Sequence, residues 1–354
     1  MRPTRRGWLV GTVVGASMLM GFQFGARSLN ALVVPLIVVA IAAVVTVART
    51  DRPQIERRPI PAGFVGETRA VAFTLDAESP TVATVIDRVG PGLEAERNRF
   101  EVTLGGEQRL EYEIELATRG RRGVGPTAVI VRDLLGLVER RFECGASEPV
   151  MVYPPIYELD SVARDELESA ASAATEFERS AFDHLREYRR GDSLRDVHWK
   201  SAAKRPDDEL IVKEFAGDEG TGRLSIVAEA APGRDDEMAA ATATLATHLL
   251  DLGVDVVVTV PGEEPVTAGP GQRDDVLGLT ATAGDGRVAP DHRETAEIRV
   301  RAGLDDVVVW IDGHERSFTR IRVGGRTKYG SLSGSPMSFV RRRSGRRRSA
   351  GVGL

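Results

Sequence analysis

Lysine is almost missing from this chain: it stands only at Lys200, Lys204, Lys213 and Lys328, so the positive charge is nearly all arginine. That bias, beside abundant Asp and Glu, fits a genomic composition or a salt-adapted host equally and carries no mechanism. Cysteine is rarer still. Cys144 stands alone, which excludes an intramolecular disulfide and a multi-cysteine zinc site, and leaves the redox compartment open. The chain has no Walker-type glycine loop and is not expected to hydrolyse nucleotides. Its histidines, His184, His198, His248, His292 and His314, show no close metal spacing. There is no basic excess either: the formal net charge is -5, against the basic face that nucleic acid demands, so no nucleic acid partner is expected.

What is present divides into parts, as 354 residues exceed what one hydrophobic core usually organises. From Trp8 to Phe24 and from Ala31 to Ala48 the residues are apolar or small, interrupted by Thr, Ser, Gln23 and Pro35. Each run approaches the ~20 residues that ~30 Å of hydrocarbon requires. One helix across both would be about twice too long and would set Arg27 in hydrocarbon at roughly 3 kcal/mol. The expectation is therefore a transmembrane hairpin over residues 1–50, with helices at about 8–25 and 31–48. Arg2, Arg5 and Arg6 before it and Arg49, Arg52, Arg57 and Arg58 after it place both ends in the cytoplasm by the positive-inside rule. This implies a multi-pass protein of the cell membrane with the lipid bilayer as a partner. A cleaved signal peptide also fits the basic start, although the second run would still span.

Residues 55–157 follow a period of two. Leu110-Glu111-Tyr112-Glu113-Ile114-Glu115-Leu116 alternates strictly, and Val71, Phe73 and Leu75 repeat the pattern. One face of each strand is buried and the other wet. Turn signals at Pro91-Gly92, Gly105-Gly106 and Gly125-Pro126 then predict an antiparallel, Ig-like β-sandwich. Residues 158–325 read as an α/β domain: strand Leu224–Ala228, helix Asp235–Leu252, and strands Val254–Val260 and Val307–Ile311. Uniformly apolar strands predict a parallel sheet buried on both sides. Residues 326–354, with Arg341–Arg343 and Arg346–Arg348, form an Arg-rich tail expected to be disordered. Anionic lipid would attract it at roughly 1 kcal/mol per arginine, nucleic acid is the rival use for this tail alone, and a purely solvated tail fits equally.

The most distinctive stretch runs from Arg186 to Lys204. Arg186, Tyr188, Gly191, Asp192, Arg195, Val197, Trp199, Ser201 and Ala202 fit an Arg-x-Tyr-x-x-Gly-Asp-x-x-Arg segment followed by an aliphatic residue, Trp and a Ser-Ala pair. This resembles the signature of the DUF58 family. Further matches lie at Arg121, Arg122, Gly123, Gly125, Pro126, Asp133, Gly136 and Leu137, and at Val152-Tyr153-Pro154. The resemblance implies a von Willebrand factor A-like C-terminal domain, and a non-catalytic scaffold or adaptor working with a MoxR-type AAA+ ATPase. It names no cofactor.

Physically, Gly191-Asp192 is a turn that opens a helix. Arg186 and Arg195 are placed to grip carboxylates bidentately. Charges so dense beside Tyr188, His198 and Trp199 suit either a brace within the domain or a partner-binding surface. Two other functions compete. A hydrolase would use Asp192, Asp196 and His198, three groups on one local segment with no remote motif to complete a site. A metal-dependent adhesion module would need an Asp-x-Ser-x-Ser loop after the first α/β strand. That place holds Glu229-Ala230-Ala231-Pro232-Gly233, without either hydroxyl, so no metal is expected there. Cys144 reads as an incidental buried thiol rather than a nucleophile.

Overall fold

A computed structural model describes residues 1–24, 27–78, 80–180, 182–187, 211–215 and 222–327. The chain opens with strand β1 (Arg2–Pro3) and helices α1 (Arg5–Phe24) and α2 (Arg27–Ala48). Thr4 starts α1: its hydroxyl accepts from the Gly7 amide at 3.1 Å, the cap that an exposed first turn needs.

The transmembrane expectation is corrected here: among the described residues no helix is long and apolar enough to cross a membrane. α1 begins with Arg5 and Arg6 and is diluted by Gly7, Gly11, Gly15, Gly21, Thr12, Ser17 and Gln23. α2 carries Arg27, Ser28 and Asn30 in its first turn and Pro35 within it. The multi-pass cell-membrane placement that rested on the hairpin falls with it. The two helices pack against each other and leave Trp8, Leu19, Phe22, Val38 and Ile41 exposed.

The sandwich follows, built from β2 (Gln54–Arg57), β3 (Gly63–Phe64), β4 (Thr68–Ala77), β5 (Val82–Val89), β6 (Leu93–Glu94), β7 (Arg99–Thr103), β8 (Gly106–Leu116), β9 (Gly120–Arg132), β10 (Val138–Cys144) and β11 (Glu148–Tyr153). One sheet has the order β2-β4-β8-β6. In the other, β9 is the hub. Its first half pairs with β11, and its second half lies between β10 and β5, which also pairs with β7. The change of partner falls at Gly125-Pro126. A side chain at Gly125 (φ +99°) would come within 2.8 Å of the Ala146 carbonyl. The alternation read in the sequence is visible in the core: Val71, Phe73, Leu75, Ile114 and Leu116 are fully buried while Glu111, Glu113 and Glu115 face water. Each such side chain contributes about 1.5–3 kcal/mol.

The α/β part contains β12 (Tyr157–Leu159), α3 (Ser161–Ser180), β13 (Phe182–Glu187), β14 (Ile211–Phe215), β15 (Arg223–Ala230), α4 (Asp235–Asp251), β16 (Asp255–Thr259), β17 (Val266–Ala268), α5 (Arg273–Thr282), α6 (Pro290–Thr295), β18 (Ile298–Ala302), β19 (Val307–Ile311), β20 (His314–Ser317), α7 (Phe318–Ile321) and β21 (Arg322–Thr327). The main sheet has the order β17-β16-β15-β18-β19-β20.

The expected parallel sheet is corrected to a mixed one. β16, β15 and β18 are parallel, but β17, β19 and β20 each join antiparallel. β18 and β19 are joined by only four residues, Gly303–Asp306, a hairpin-sized link that leaves no room for a parallel crossover. Nor is the sheet buried on both sides. α3 and α4 cover one face, where Ile226, Val256, Ile298, Val300, Val309 and Ile311 pack against Met238, Leu245 and Leu249. On the other face Arg299 and Arg301 are exposed and Trp310 is half-buried.

Candidate functional site

Of the residues that the sequence singles out, Arg186 lies on β13, opposite Val212 of β14, with its backbone alone described. Tyr188, Gly191, Asp192, Arg195, His198 and Trp199 lie outside the described residues, as does the tail from 328 onward. Cys144 ends β10 in the sandwich core, and burial pushes its thiol pKa up. Glu229, expected in the loop after the first α/β strand, lies on β15 itself and accepts from the Val288 amide at 3.1 Å, while Gly233 in the loop that follows donates to Asp285 at 2.9 Å. Among the described residues, no group of three or more His, Cys, Asp or Glu is placed to hold a metal.

The described residues bring together a different set. β15 and β18 are the parallel neighbours from which the chain departs in opposite directions, β15 leading to β16 and β18 to β19. Open α/β sheets bind ligands beside such a reversal. On the uncovered face there, a pocket of about 330 Å³ is lined by Val227 and Glu229 of β15, Arg299 and Arg301 of β18, Trp310 of β19, and Arg287 and Arg293 from the segment that crosses to β18. Strict alternation along Ile298-Arg299-Val300-Arg301-Ala302 sends the aliphatic residues into the core and both arginines outward. The Arg299 guanidinium lies 5.4 Å from the Trp310 ring centroid, and the Trp310 indole donates to Glu315 at 3.2 Å. The indole is thus held in place and in turn positions Arg299.

A second arrangement joins the domains. Arg119, in the β8–β9 turn, is buried and reaches across to the α/β domain. One terminal nitrogen donates to the carbonyls of Thr280, Ala281 and Ala283 at 3.2, 3.1 and 2.9 Å. These groups lie at the C-terminal end of α5, where the helix dipole favours a cation. The other donates to Asp235 at 2.5 Å, and Nε pairs with Asp236 at 2.6 Å. Both carboxylates belong to the first turn of α4. Beside this joint Leu277 of α5 packs with Ile156, Ala243, Phe64 and Tyr153.

Within the sandwich, Asp87 is fully buried and accepts two hydrogen bonds from Arg57 at 2.6 Å, one from Tyr112 at 2.8 Å and one from Thr127 at 2.8 Å. Burial, then the Asp87 charge, pushes the Tyr112 pKa far above its ordinary value. Every group here is engaged with another, and the network braces the two sheets rather than forming an open site.

No protein-family model matches the chain, and no curated protein matches it. Among solved structures it is similar to a CARDB domain from Pyrococcus furiosus, with 17% identity, a TM-score of 0.21, and coverage of 29% of this chain and 88% of that one. It is similar to the PKD domain of an M14-like peptidase from a Thermoplasmatales archaeon, at 17% identity, TM-score 0.20, and 29% and 94% coverage. A third likeness is to a non-cellulosomal cohesin from Archaeoglobus fulgidus, at 11% identity, TM-score 0.21, and 29% and 91% coverage.

Proposed function

We propose that this chain is a non-catalytic adaptor of the DUF58 type, which works with a MoxR-type AAA+ ATPase in the assembly or maturation of other proteins. The observation that supports this reading is the Arg119 joint. A single buried side chain ties the sandwich to both α4 and α5 of the α/β domain, and two surfaces held at a fixed distance are what an adaptor presents to a motor and its client. The ATPase itself is proposed on the family resemblance carried by the Arg186–Lys204 motif.

The test is affinity capture of the full-length tagged protein from its own cells, with cross-linking and mass spectrometry. The reading expects an AAA+ ATPase to be enriched, and expects an Arg186/Trp199 double substitution to lose it. No ATPase under cross-linking sinks the reading. So would hydrolytic turnover that Asp192→Asn abolishes.

A further inference from the structure

We infer that the arginine-lined pocket on the open face of the six-stranded sheet binds a compact polyanion of the diphosphate class. Four guanidinium groups, Arg287, Arg293, Arg299 and Arg301, face one carboxylate, Glu229, across about 330 Å³, a local formal charge of about 4 − 1 = +3. The chain as a whole carries -5, so this is a concentration of positive charge against the average. The one acid is already engaged, taking the Val288 amide and standing 3.5 Å from Arg293. Among the described residues Arg287, Arg299 and Arg301 form no ion pair with a carboxylate.

Arginine cannot shed its proton, so converging guanidinium groups repel each other until an anion joins them. Their planar forks fit phosphate oxygens two at a time, which favours phosphate over a monovalent ion. The volume lies at the lower end of small-molecule sites. A diphosphate, with about three negative charges near neutral pH, matches the local charge. An extended acidic peptide would need a longer groove than this concave pocket offers. Trp310, by fixing Arg299, keeps one donor pre-positioned and reduces the ordering cost of binding.

The experiment is calorimetric titration of the full-length chain with inorganic pyrophosphate at low and at physiological salt, with ADP and a Glu-rich decapeptide as parallel ligands. Pyrophosphate is expected to bind at one site and to weaken as salt rises. Arg299→Gln and Arg301→Gln should each weaken it about tenfold, as loss of one charged hydrogen-bonding group does. Arg301→Lys should recover only part. Trp310→Leu should weaken it less than either glutamine variant.

Arg223→Gln, on the same sheet but outside the pocket, should leave affinity unchanged. Melting temperatures of the exposed-site variants should match the parent, which separates lost binding from lost folding. Tighter binding of ADP than pyrophosphate would identify an organic diphosphate, and equal binding would identify the diphosphate group alone. The inference is overturned if pyrophosphate gives no heat at millimolar concentration in low salt. It is equally overturned if Arg223→Gln weakens binding as much as Arg301→Gln, or if only the acidic peptide binds.

Discussion

Asp87 shows how a single buried charge is made tolerable. It is fully buried, and an ion so placed costs several kcal/mol unless all its lone pairs are engaged. Arg57, Tyr112 and Thr127 supply the donors, and Asn98 holds the Asp87 carbonyl at 2.9 Å. Burial alone would lower the Arg57 pKa, and the Asp87 hydrogen bond and charge more than offset it. Tyr112→Phe removes one donor to a buried carboxylate and is expected to cost about 1.5–3 kcal/mol in urea titrations at pH 7.

The pH dependence follows with a definite sign. Because the folded-state pKa of Tyr112 is raised, its contribution is complete below the unfolded value of about 10 and is lost as pH rises beyond it. Above pH 10 the unfolded chain binds fewer protons than the native one, so the stability of the parent protein falls, by up to about 1.4 kcal/mol per pH unit for this group. Tyr112→Phe should show a shallower alkaline slope. Cys144 and Tyr153, also raised by burial, keep their share. An unchanged slope would remove Tyr112 from this account.

At the scale of elements, the β9–β10 turn joins the helical pair to the sandwich. Asp133 closes it by accepting from Leu135 and Val138 at 3.0 and 2.7 Å, and the Leu137 carbonyl accepts from the Thr4 amide at 2.9 Å. This gives a physical reason for the Asp133, Gly136 and Leu137 positions in the sequence. α1 comes so close to the turn that a Cβ on Gly7 would sit 2.1 Å from the Leu137 carbonyl, whereas one on Gly11 would meet nothing within 4 Å. Gly7→Ala should therefore destabilise by about 1–3 kcal/mol and speed amide exchange around Leu137. Gly11→Ala should be neutral or stabilise by up to about 1 kcal/mol. Equal effects at the two positions would contradict the close approach.

Elements with a clean period were legible before any coordinates. The strictly alternating Leu110–Leu116 lies in β8, the helix expected over Asp235–Leu252 runs from Asp235 to Asp251, and Val307–Ile311 is β19. What stayed hidden depends on partners rather than on local pattern. β19 is as apolar as a parallel strand, yet the four-residue link from β18 makes it antiparallel. The arginines of β18 look like ordinary wet-face residues in isolation. They become a pocket only when Arg287, Arg293 and Trp310 are brought beside them from other segments.

For the whole molecule, the question is whether the sandwich and the α/β domain unfold as one body. Their separate cores, around Phe73, Leu75 and Ile114 in one and Ile226, Leu245 and Ile298 in the other, would each melt at their own temperature if nothing joined them. Arg119 couples them because its removal has consequences on both sides. The sandwich loses a buried contact, and the carbonyls of Thr280, Ala281 and Ala283 and the carboxylates of Asp235 and Asp236 lose their shared cation. Arg119→Met keeps much of the stem's packing and deletes every donor. It should cost about 1–3 kcal/mol, since the carbonyls at the end of α5 lose their donor while Asp235 and Asp236 are exposed enough to be hydrated. The apolar contact of Leu277 with Phe64 and Tyr153 remains, so the domains should stay in contact but lose cooperativity. Scanning calorimetry should then resolve two transitions where the parent shows one coupled transition. A single transition at an unchanged midpoint in Arg119→Met would mean that the apolar contact alone joins the domains, and would withdraw the rigid joint on which the adaptor reading rests.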